Sequence, residues 1–330
     1  MIVDGHGRIV SYLRLSVTDR CNLRCRYCMP DGAPFLPHEN ILRYEELLRI
    51  MGVARTLGVR KVRLTGGEPF ARLGFLEFIE SARLAYPDMD LRLTTNGTLL
   101  TPALPRLKAA GVERINLSLD TLDPARFERI TGRDQFEAVR GAVDACLEHG
   151  MRLKLNAVAM RGVNDDELPA FLRLAAELPL ELRFIEYMPM GDDPAWSAAQ
   201  VWTAEEILAE AGRLVELEPV ERGLLDCGPA RVFRIVGGRG SLGVISPMTN
   251  HYCATCNRLR ITSTGNLRTC LYSDREYRLA PLLRNPKLGE RAVRRVIEAA
   301  GAVKPLGVQL LRSRADEGGV CRTRMSAIGG

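Results

Sequence analysis

The sequence predicts an α/β protein built as an open, partial barrel of six strand–helix units, (βα)6, followed by a smaller C-terminal segment. Short β-type runs alternate with stretches whose apolar residues recur three and four positions apart. Alternation of this kind is typical of a parallel sheet with helical crossovers. Polar residues gather where the strands end, and that carboxyl edge is where parallel barrels bind ligands. We therefore expect a ligand site at this edge.

The strands are predicted from runs rich in Leu, Val, Ile and Thr, namely Tyr12–Val17, Lys61–Thr65, Leu91–Thr95, Arg114–Leu119, Arg152–Val158 and Leu182–Glu186. Amphipathic helices are predicted between them at Tyr44–Leu57, Phe75–Ala85 and Phe136–His149. Asp165 and Asp166 precede Leu168 and predict a further helix start, because acidic residues favour the first turn.

The pattern changes after about residue 200. Ala230–Val236 and Ser241–Ser246 flank a glycine-rich turn and predict a β-hairpin. A basic helix is predicted at Gly289–Ala300. We divide the chain into a barrel of residues 1–220 and an α+β segment of residues 221–330. Since no low-complexity linker is visible, we expect the second part to pack against the first and cover its open side.

The composition is that of an ordinary globular protein, with 46% hydrophobic and 26% charged residues among 330. No apolar run approaches the roughly 18 residues of a membrane span, and the first residues lack a signal-peptide pattern. The nine cysteines are odd in number, which argues against a disulfide framework. We expect a cytoplasmic protein without membrane partners. The net charge of +6 suits an anionic small molecule and nucleic acid alike.

Cys21, Cys25 and Cys28 form a C-x3-C-x2-C triplet after the first strand. Three thiolates can hold a four-iron cluster and leave one iron open for another ligand. Buried thiols or a partial zinc site are the alternatives, but zinc usually takes cysteines as separated CxxC pairs. The spacing favours an open iron–sulfur cluster.

A second triplet consists of Cys253, Cys256 and Cys270. Zinc is a real alternative here, because His251 offers a fourth ligand. Arg258 and Arg260 follow the CxxC closely and add two permanent cations. A closed structural zinc site has no need of them, whereas an open iron beside an anion does.

The chain resembles the radical S-adenosylmethionine (SAM) enzymes and, more narrowly, the GTP 3′,8-cyclases that begin molybdenum cofactor biosynthesis. The likeness covers nearly the whole length. Besides both triplets, it rests on Thr65–Pro69, Thr94–Gly97, Ser118–Asp120, Leu182–Glu186, Cys253–Arg260 and Ile328–Gly330.

The resemblance implies a partial (βα)6 TIM-like barrel of the radical SAM type, with a second iron–sulfur cluster in the C-terminal segment. It implies a lyase that converts GTP to (8S)-3′,8-cyclo-7,8-dihydroguanosine 5′-triphosphate with SAM and two [4Fe-4S] clusters. The implied partners are GTP, an electron donor such as flavodoxin or ferredoxin, and the next enzyme, cyclic pyranopterin monophosphate synthase. A homodimer is compatible with the family, and no nucleic acid is expected.

The resemblance also implies site residues. It assigns SAM contacts to Tyr27, Gly67, Ser118 and Met188, and GTP contacts to Arg14, Arg63, Thr94, Lys154, Arg258, Leu259 and Arg260. Arg14, Lys154 and Arg183 are expected to act in catalysis. Ligands of the clusters are Cys21, Cys25, Cys28, Cys253, Cys256 and Cys270.

The residues themselves support an anionic substrate. Arg14, Arg63, Lys154 and Arg183 are cations inside apolar strand runs, where a buried charge needs a partner. No G-x4-G-K-[ST] loop is present to hold a triphosphate. Outward-pointing side chains that reach past the helices are the alternative reading for each.

Two other functions stay open on the residues alone. One is a radical SAM enzyme that acts on a peptide with an auxiliary cluster, and the other is a zinc-stapled RNA-binding protein. In similar enzymes the terminal Gly329-Gly330 tail reaches into the active site. Phe70–Gly74 departs from the family pattern after Pro69, so Arg72 is left without a role, and Cys146, Cys227 and Cys321 are expected to be structural.

Overall fold

The computed structural model describes residues 1–29, 35–188, 190–191, 197–221, 228–313 and 321–329. The strands are β1 Ile2–Val3, β2 Ile9–Val10, β3 Tyr12–Ser16, β4 Lys61–Thr65, β5 Asp90–Thr95, β6 Arg114–Ser118, β7 Arg152–Ala159, β8 Glu181–Glu186, β9 Leu217–Pro219, β10 Arg231–Ile235, β11 Ser241–Ile245, β12 Arg258–Ile261, β13 Asn266–Arg268 and β14 Tyr277–Arg278. The helices are α1 Tyr44–Thr56, α2 Phe75–Ala85, α3 Leu104–Ala109, α4 Pro124–Thr131, α5 Phe136–Glu148, α6 Leu168–Glu177, α7 Ala204–Ala211, α8 Ala280–Arg284, α9 Gly289–Ala302, α10 Gly307–Ser313 and α11 Met325–Ile328.

One sheet dominates the fold, and its strand order is β14-β13-β12-β3-β4-β5-β6-β7-β8-β11-β10-β9. The six predicted strands are its centre, β3 to β8, and all of them pair in parallel. The predicted helices lie between them with nearly the predicted bounds. The predicted α/β class and partial barrel are thus confirmed, since the sheet's outermost strands, β14 and β9, do not pair with each other.

The C-terminal segment extends this sheet at both ends. β11 adds in parallel to β8, and β12 adds in parallel to β3. The predicted hairpin is present as the antiparallel pair β10–β11. Both edges of a six-stranded sheet carry unpaired backbone groups, and the added strands satisfy them. The segment therefore completes the barrel wall as well as packing on it, while the boundary at residue 220 stays a prediction.

Side chains alternate across the barrel wall. On β3 and β4, Leu13, Leu15, Val62 and Leu64 belong to the hydrophobic core, whereas Arg14 and Arg63 line an internal cavity. This alternation follows from the two-residue period of a strand. The sheet therefore has an apolar face under the helices and a polar inner face.

Two buried carboxylates fasten the C-terminal segment. Glu186 accepts hydrogen bonds from the backbone of Ala204 (2.9 Å) and Met248 (2.9 Å) and from Thr249. Glu46 on α1 pairs with Arg284 on α8 at 2.7 Å. In the described parts of the chain, the helices are too short or too polar for a bilayer crossing.

Candidate active site

The inner face of the barrel encloses a cavity of about 1080 Å³. The front cysteine triplet and most residues predicted for SAM and GTP line this single space, namely Arg14, Tyr27, Arg63, Gly67, Thr94, Ser118, Lys154, Arg183, Met188, Arg258 and Arg260. Residues from eight parallel strands and their loops are therefore brought to one chamber.

The front cysteine loop packs tightly on the glycines that end β4. Gly67 donates its N–H to Thr18 O at 2.8 Å, and the Glu68 N–H bonds Arg20 O at 2.7 Å. A Cβ on Gly67 would lie 2.3 Å from Arg20 O. The glycine is thus required by the cysteine loop, whereas the sequence suggested close approach of a ligand.

Glu68 braces the same corner. Its carboxylate accepts hydrogen bonds from Thr95 Oγ1 at 2.8 Å and from the Asn96 N–H at 2.7 Å. Complete burial raises the pKa of Glu68 to about 7, although these hydrogen bonds act in the opposite direction. The carboxylate therefore holds the loops after β4 and β5 together beneath the front cysteines.

The three front cysteines are half-buried, and their thiols are close enough to affect one another's ionisation. Burial raises the pKa of Cys28 to about 12 and that of Cys25 well above its ordinary value, and the neighbouring thiols raise both further. Thiolates in such surroundings need a positive centre, because metal binding requires the deprotonated ligand. The donor set therefore fits an iron–sulfur cluster.

Several polar atoms on the chamber wall are buried without a hydrogen-bond partner among the described residues. Thr94 Oγ1, Asn116 Oδ1 and Asn156 Oδ1 are three that line the cavity. Buried polar groups are ordinarily satisfied, so these atoms mark the wall where a polar ligand fits. Tyr27 is different, because its hydroxyl donates to Asp120 Oδ2 at 2.6 Å.

Arginines crowd the opposite part of the chamber. Tyr12 accepts a hydrogen bond from Arg63 Nε at 2.7 Å. Burial alone would raise the pKa of Tyr12, but the charges of Arg63, Arg14 and Arg258 outweigh it and lower that pKa to about 7. Burial and the neighbouring Arg260 lower the pKa of Arg14 to about 9. Among the described residues, Arg14 Nε and Arg260 Nη1 also lack a hydrogen-bond partner. Arg14, Arg63, Arg258 and Arg260 thus form an arginine cluster that carries excess positive charge.

Lys154 and Arg183 share one carboxylate. Glu181 accepts from Lys154 Nζ at 2.7 Å and from Arg183 Nε at 2.5 Å. From the sequence, a ligand is expected to balance these cations, whereas the structure supplies Glu181 as well. Glu181 therefore partly neutralises the charge that Lys154 and Arg183 present to a ligand, and it fixes the orientation of both side chains.

The rear triplet lines a smaller cavity of about 30 Å³ that shares Tyr252, Arg258, Arg260 and Leu271 with the chamber. Burial tends to raise the pKa of Cys256, but Arg258 and Lys304 outweigh it and lower that pKa to about 7. Arg8 donates to Cys253 O at 2.7 Å, and Lys304 donates to Thr269 O at 2.8 Å. Cys256 is therefore better prepared for ionisation than the front thiols, whereas burial raises the pKa of Cys270.

His251, the fourth ligand of the zinc alternative, is absent from the residues that line the rear cavity. Across the described ranges, no three His, Cys, Asp or Glu side chains converge as ligands of a single metal ion. The distinction between zinc and a cluster therefore depends on the cations beside the thiols.

The C-terminal tail enters the chamber. Met325 and Ser326 line it, and Gly329 O accepts a hydrogen bond from Thr65 Oγ1 at 3.1 Å. Gly330 and Cys227 lie outside the described residues. Cys146 and Cys321 are buried and line neither cavity, although Cys321 shares a hydrophobic cluster with Cys270.

Two residues named from the sequence have other surroundings. Leu259 packs its side chain in the hydrophobic core and does not line the chamber. Arg72 donates to Val17 O and to Leu42 O (2.8 Å) and lies over the Tyr44 ring. Arg72 thus ties loops together outside the cavity.

Five residues that shape the site were not predicted as site residues from the sequence. Tyr12, Asn116 and Glu181 lie two positions from predicted residues on the same strand face, so the strand period could have found them. Arg8 and Lys304 reach the rear cysteines from distant parts of the chain, and no local signal marks them.

Comparisons with known proteins agree with this arrangement. Residues 15–175 match the Radical SAM superfamily, and residues 180–310 match Molybdenum Cofactor Synthesis C. A GTP 3′,8-cyclase of Heliobacterium modesticaldum is 42% identical over 335 aligned residues, with 100% of both chains covered. That of Syntrophomonas wolfei is 46% identical and covers 86% of this chain and 87% of its own.

A solved structure gives the same architecture at low identity. Streptococcus suis SuiB, bound to S-adenosylmethionine, has a TM-score of 0.64 and 14% sequence identity, with 97% of this chain and 77% of that chain covered. At this identity the likeness concerns the fold alone.

Proposed function

The chain belongs to the radical SAM superfamily and, within it, to the GTP 3′,8-cyclases, and from this premise we infer its reaction. It is a lyase that converts GTP to (8S)-3′,8-cyclo-7,8-dihydroguanosine 5′-triphosphate, the first step of molybdenum cofactor biosynthesis. One observation supports this mechanism most directly. The front cysteines and the arginine cluster line different parts of the same chamber.

The cofactors of the family are SAM and an iron–sulfur cluster, which fits Cys21, Cys25 and Cys28. Cys21, Cys25 and Cys28 would hold the cluster, which when bound would supply the electron that cleaves SAM to methionine and a 5′-deoxyadenosyl radical. Gly67, Ser118 and Met188 line the chamber beside these cysteines and are proposed SAM contacts. Tyr27 acts by holding Asp120 and the cysteine loop, since its hydroxyl is already bonded. The enclosed walls limit water around the radical.

The arginine cluster is proposed to bind the triphosphate of GTP. Arg14 and Arg260 have unsatisfied nitrogen atoms among the described residues, and Arg63 and Arg258 add charge around Tyr12. Each charge-assisted hydrogen bond contributes about 1.5–3 kcal/mol, so three or four suffice for tight binding. Thr94 offers a free hydroxyl on the same wall.

Cys253, Cys256 and Cys270 are proposed to hold a second [4Fe-4S] cluster, which would supply an open iron to bind the guanine ring. Support comes from the lowered pKa of Cys256 and from Arg258 and Arg260, which border both cavities. Leu259 lies between these arginines, and its proposed substrate contact is left to its backbone, because its side chain is in the core.

Lys154 and Arg183 are proposed to hold the ribose and phosphates in position relative to the SAM site. Glu181 fixes both side chains, so their contribution is orientation more than charge. Arg14 is proposed to share this role from the opposite wall. With the base and the phosphates held, hydrogen abstraction at ribose C3′ would be followed by attack of that carbon on guanine C8, and one electron from the electron donor and one proton would then complete the dihydropurine.

GTP is the substrate, and the remaining partners are proposed from the family. They are an electron donor such as flavodoxin or ferredoxin, the following enzyme cyclic pyranopterin monophosphate synthase, and a second copy of the chain in a homodimer.

The test is anaerobic turnover. Protein reconstituted with iron and sulfide is incubated with GTP, SAM and dithionite, and products are analysed by mass spectrometry. We expect 5′-deoxyadenosine and an isomer of GTP in equal amounts. Formation of 5′-deoxyadenosine without loss of GTP would contradict the cyclase and would favour another radical SAM substrate, such as a peptide.

Iron content tests the second cluster separately. We expect about eight irons per chain in the wild type, as two four-iron clusters require, and about four after Cys256→Ala. Cys146→Ala is the matched control, because Cys146 is buried outside both cavities. Stoichiometric zinc with only four irons in the wild type would contradict the second cluster.

A further inference from the structure

Six arginines stand side by side across the inner wall of the barrel. The strand register pairs Arg260 with Arg14, Arg14 with Arg63, Arg63 with Arg92, Arg92 with Arg114 and Arg114 with Arg152. All six line the chamber. Neighbouring strands lie about 4.8 Å apart, so this arginine row extends over roughly 24 Å of the sheet.

A row of like charges on opposing strand positions destabilises a sheet unless other charges balance it. In the outer half of the row, from Arg92 to Arg152, the Asp90 carboxylate forms ion pairs. Its Oδ2 lies 2.6 Å from Arg92 Nη2 and 3.9 Å from Arg114 Nη1. The inner half faces Tyr12, whose lowered pKa reflects the excess of cations. A continuous row of arginines on one wall therefore suits a polyanionic ligand in the chamber.

The two ends of the row differ. Arg260 is buried and also lines the small cavity of the rear cysteines. Arg152 is exposed and begins β7. The row therefore connects the rear part of the site with solvent.

The exposed lining residues identify the mouth of the chamber. Five of them lie at the amino ends of β7, β8 and β11, opposite the edge that carries the front cysteines: Gly150, Arg152, Pro179, Arg234 and Arg239. The others among the described residues, Val220, Glu221 and Gly228, lie between β9 and β10 toward the carboxyl end of β11, so they do not border this mouth. The lining residues around the front cysteines are buried or half-buried.

Charges at this mouth are mostly positive. Arg234 is paired with Glu218. Arg239 donates to the backbone oxygen of Glu177 at 3.4 Å, and this neutral acceptor does not balance the charge of the guanidinium. Glu181, just inside, is already shared by Lys154 and Arg183.

We propose that GTP enters through this basic mouth at the amino ends of the strands and that the arginine row guides its triphosphate inward. Arg152 and Arg239 attract the nucleotide, and the row from Arg114 to Arg14 then passes the phosphates to the binding cluster. The proposal rests on GTP being the substrate. A basic cleft of this kind raises association rates about 10- to 1,000-fold, and salt screens the effect.

The experiment compares the double variant Arg152→Gln/Arg239→Gln with the matched control Arg129→Gln/Arg213→Gln. Arg129 and Arg213 are exposed and do not line the chamber, and the charge change is the same. Steady-state kinetics with GTP are measured at ionic strengths from about 0.02 to 0.5 M. The Debye length falls over this range from well above 10 Å to a few Å. Thermal unfolding and iron content are compared alongside.

We expect kcat/KM of the mouth variant to fall about tenfold at low salt and to approach the wild type at high salt, with kcat unchanged. The control should stay within about twofold of the wild type throughout. An equal loss of kcat/KM in the control, or an unchanged kcat/KM in the mouth variant, would overturn the proposed entrance. Neither result would contradict the proposed cyclase reaction. Absence of GTP turnover in the wild type would overturn the proposed function and the entrance together.

Discussion

Thr65 donates its hydroxyl hydrogen to the carbonyl oxygen of Gly329 at 3.1 Å, although 264 positions separate them. Thr65 ends β4, beside the front cysteine loop, so the contact holds the tail at that edge of the chamber. Gly329 has φ +79°, and a Cβ there would lie 2.7 Å from Ser16 Cβ and 2.8 Å from Thr65 Oγ1. Only glycine fits this position without displacing the tail.

We predict that Gly329→Ala displaces the tail and lowers GTP turnover at least tenfold. The added methyl group meets Ser16 and Thr65, and the positive φ costs about 1 kcal/mol more. Gly162→Ala is the control, since Gly162 has φ +73° with open space around it. Turnover and melting temperature are measured for both. Equal turnover in the two variants would show that the clash does not matter.

The tail is also fastened by a buried clasp, which Thr323→Val should loosen. Arg268 is fully buried and donates to Thr323 Oγ1 at 2.7 Å and to Glu276 at 2.9 Å. Loss of the hydroxyl removes the link to the tail at a cost of about 1 kcal/mol. We expect faster tryptic cleavage after Arg322 and Arg324, with the barrel still folded.

Thr101→Val serves as the control for the clasp, because Thr101 is exposed and far from it along the chain. Unchanged cleavage of the tail in Thr323→Val would contradict the clasp. Arg268→Met should be more severe and should lower the melting temperature, since Glu276 would keep its charge without the partner.

Tyr12 is predicted to make GTP binding depend on pH. Its pKa is lowered to about 7, so the phenol is neutral below that pH and anionic above it. The anion repels the triphosphate and competes with it for Arg63 and Arg14. We expect KM for GTP to rise several-fold between pH 6.5 and 8.5. Tyr12→Phe should remove the part of this rise that is due to the phenolate, and identical profiles in both proteins would exclude it.

Arg14→Met should affect binding and stability in opposite directions. Arg14 is surrounded by Arg63, Arg258 and Arg260, which with burial lower its pKa to about 9. Its removal relieves repulsion in the protein without substrate, so we expect an unchanged or higher melting temperature. One lost charge-assisted bond of about 1.5–3 kcal/mol raises KM for GTP about 10- to 150-fold. A large fall in melting temperature would contradict this account.

Much of the barrel could be predicted from local patterns. Lys61–Thr65 and Phe75–Ala85 have the bounds that the sequence indicated, because strand and helix periods are written in neighbouring residues. The same periodicity turns Arg14 and Arg63 toward the chamber. The spacing of Cys21, Cys25 and Cys28 is likewise local, so the front donor set was visible in the chain.

The sequence by itself indicated the six central strands, the main helices and the two cysteine triplets, and it favoured an inward direction for the strand cations. Only the tertiary structure decided that β11 and β12 continue the sheet, that the arginines stand in one row, and that Arg8 and Lys304 reach the site. The physical reason is range. Side-chain direction follows from the backbone period of a few residues, whereas strand neighbours and register are set by burial and hydrogen bonding between segments far apart in the chain.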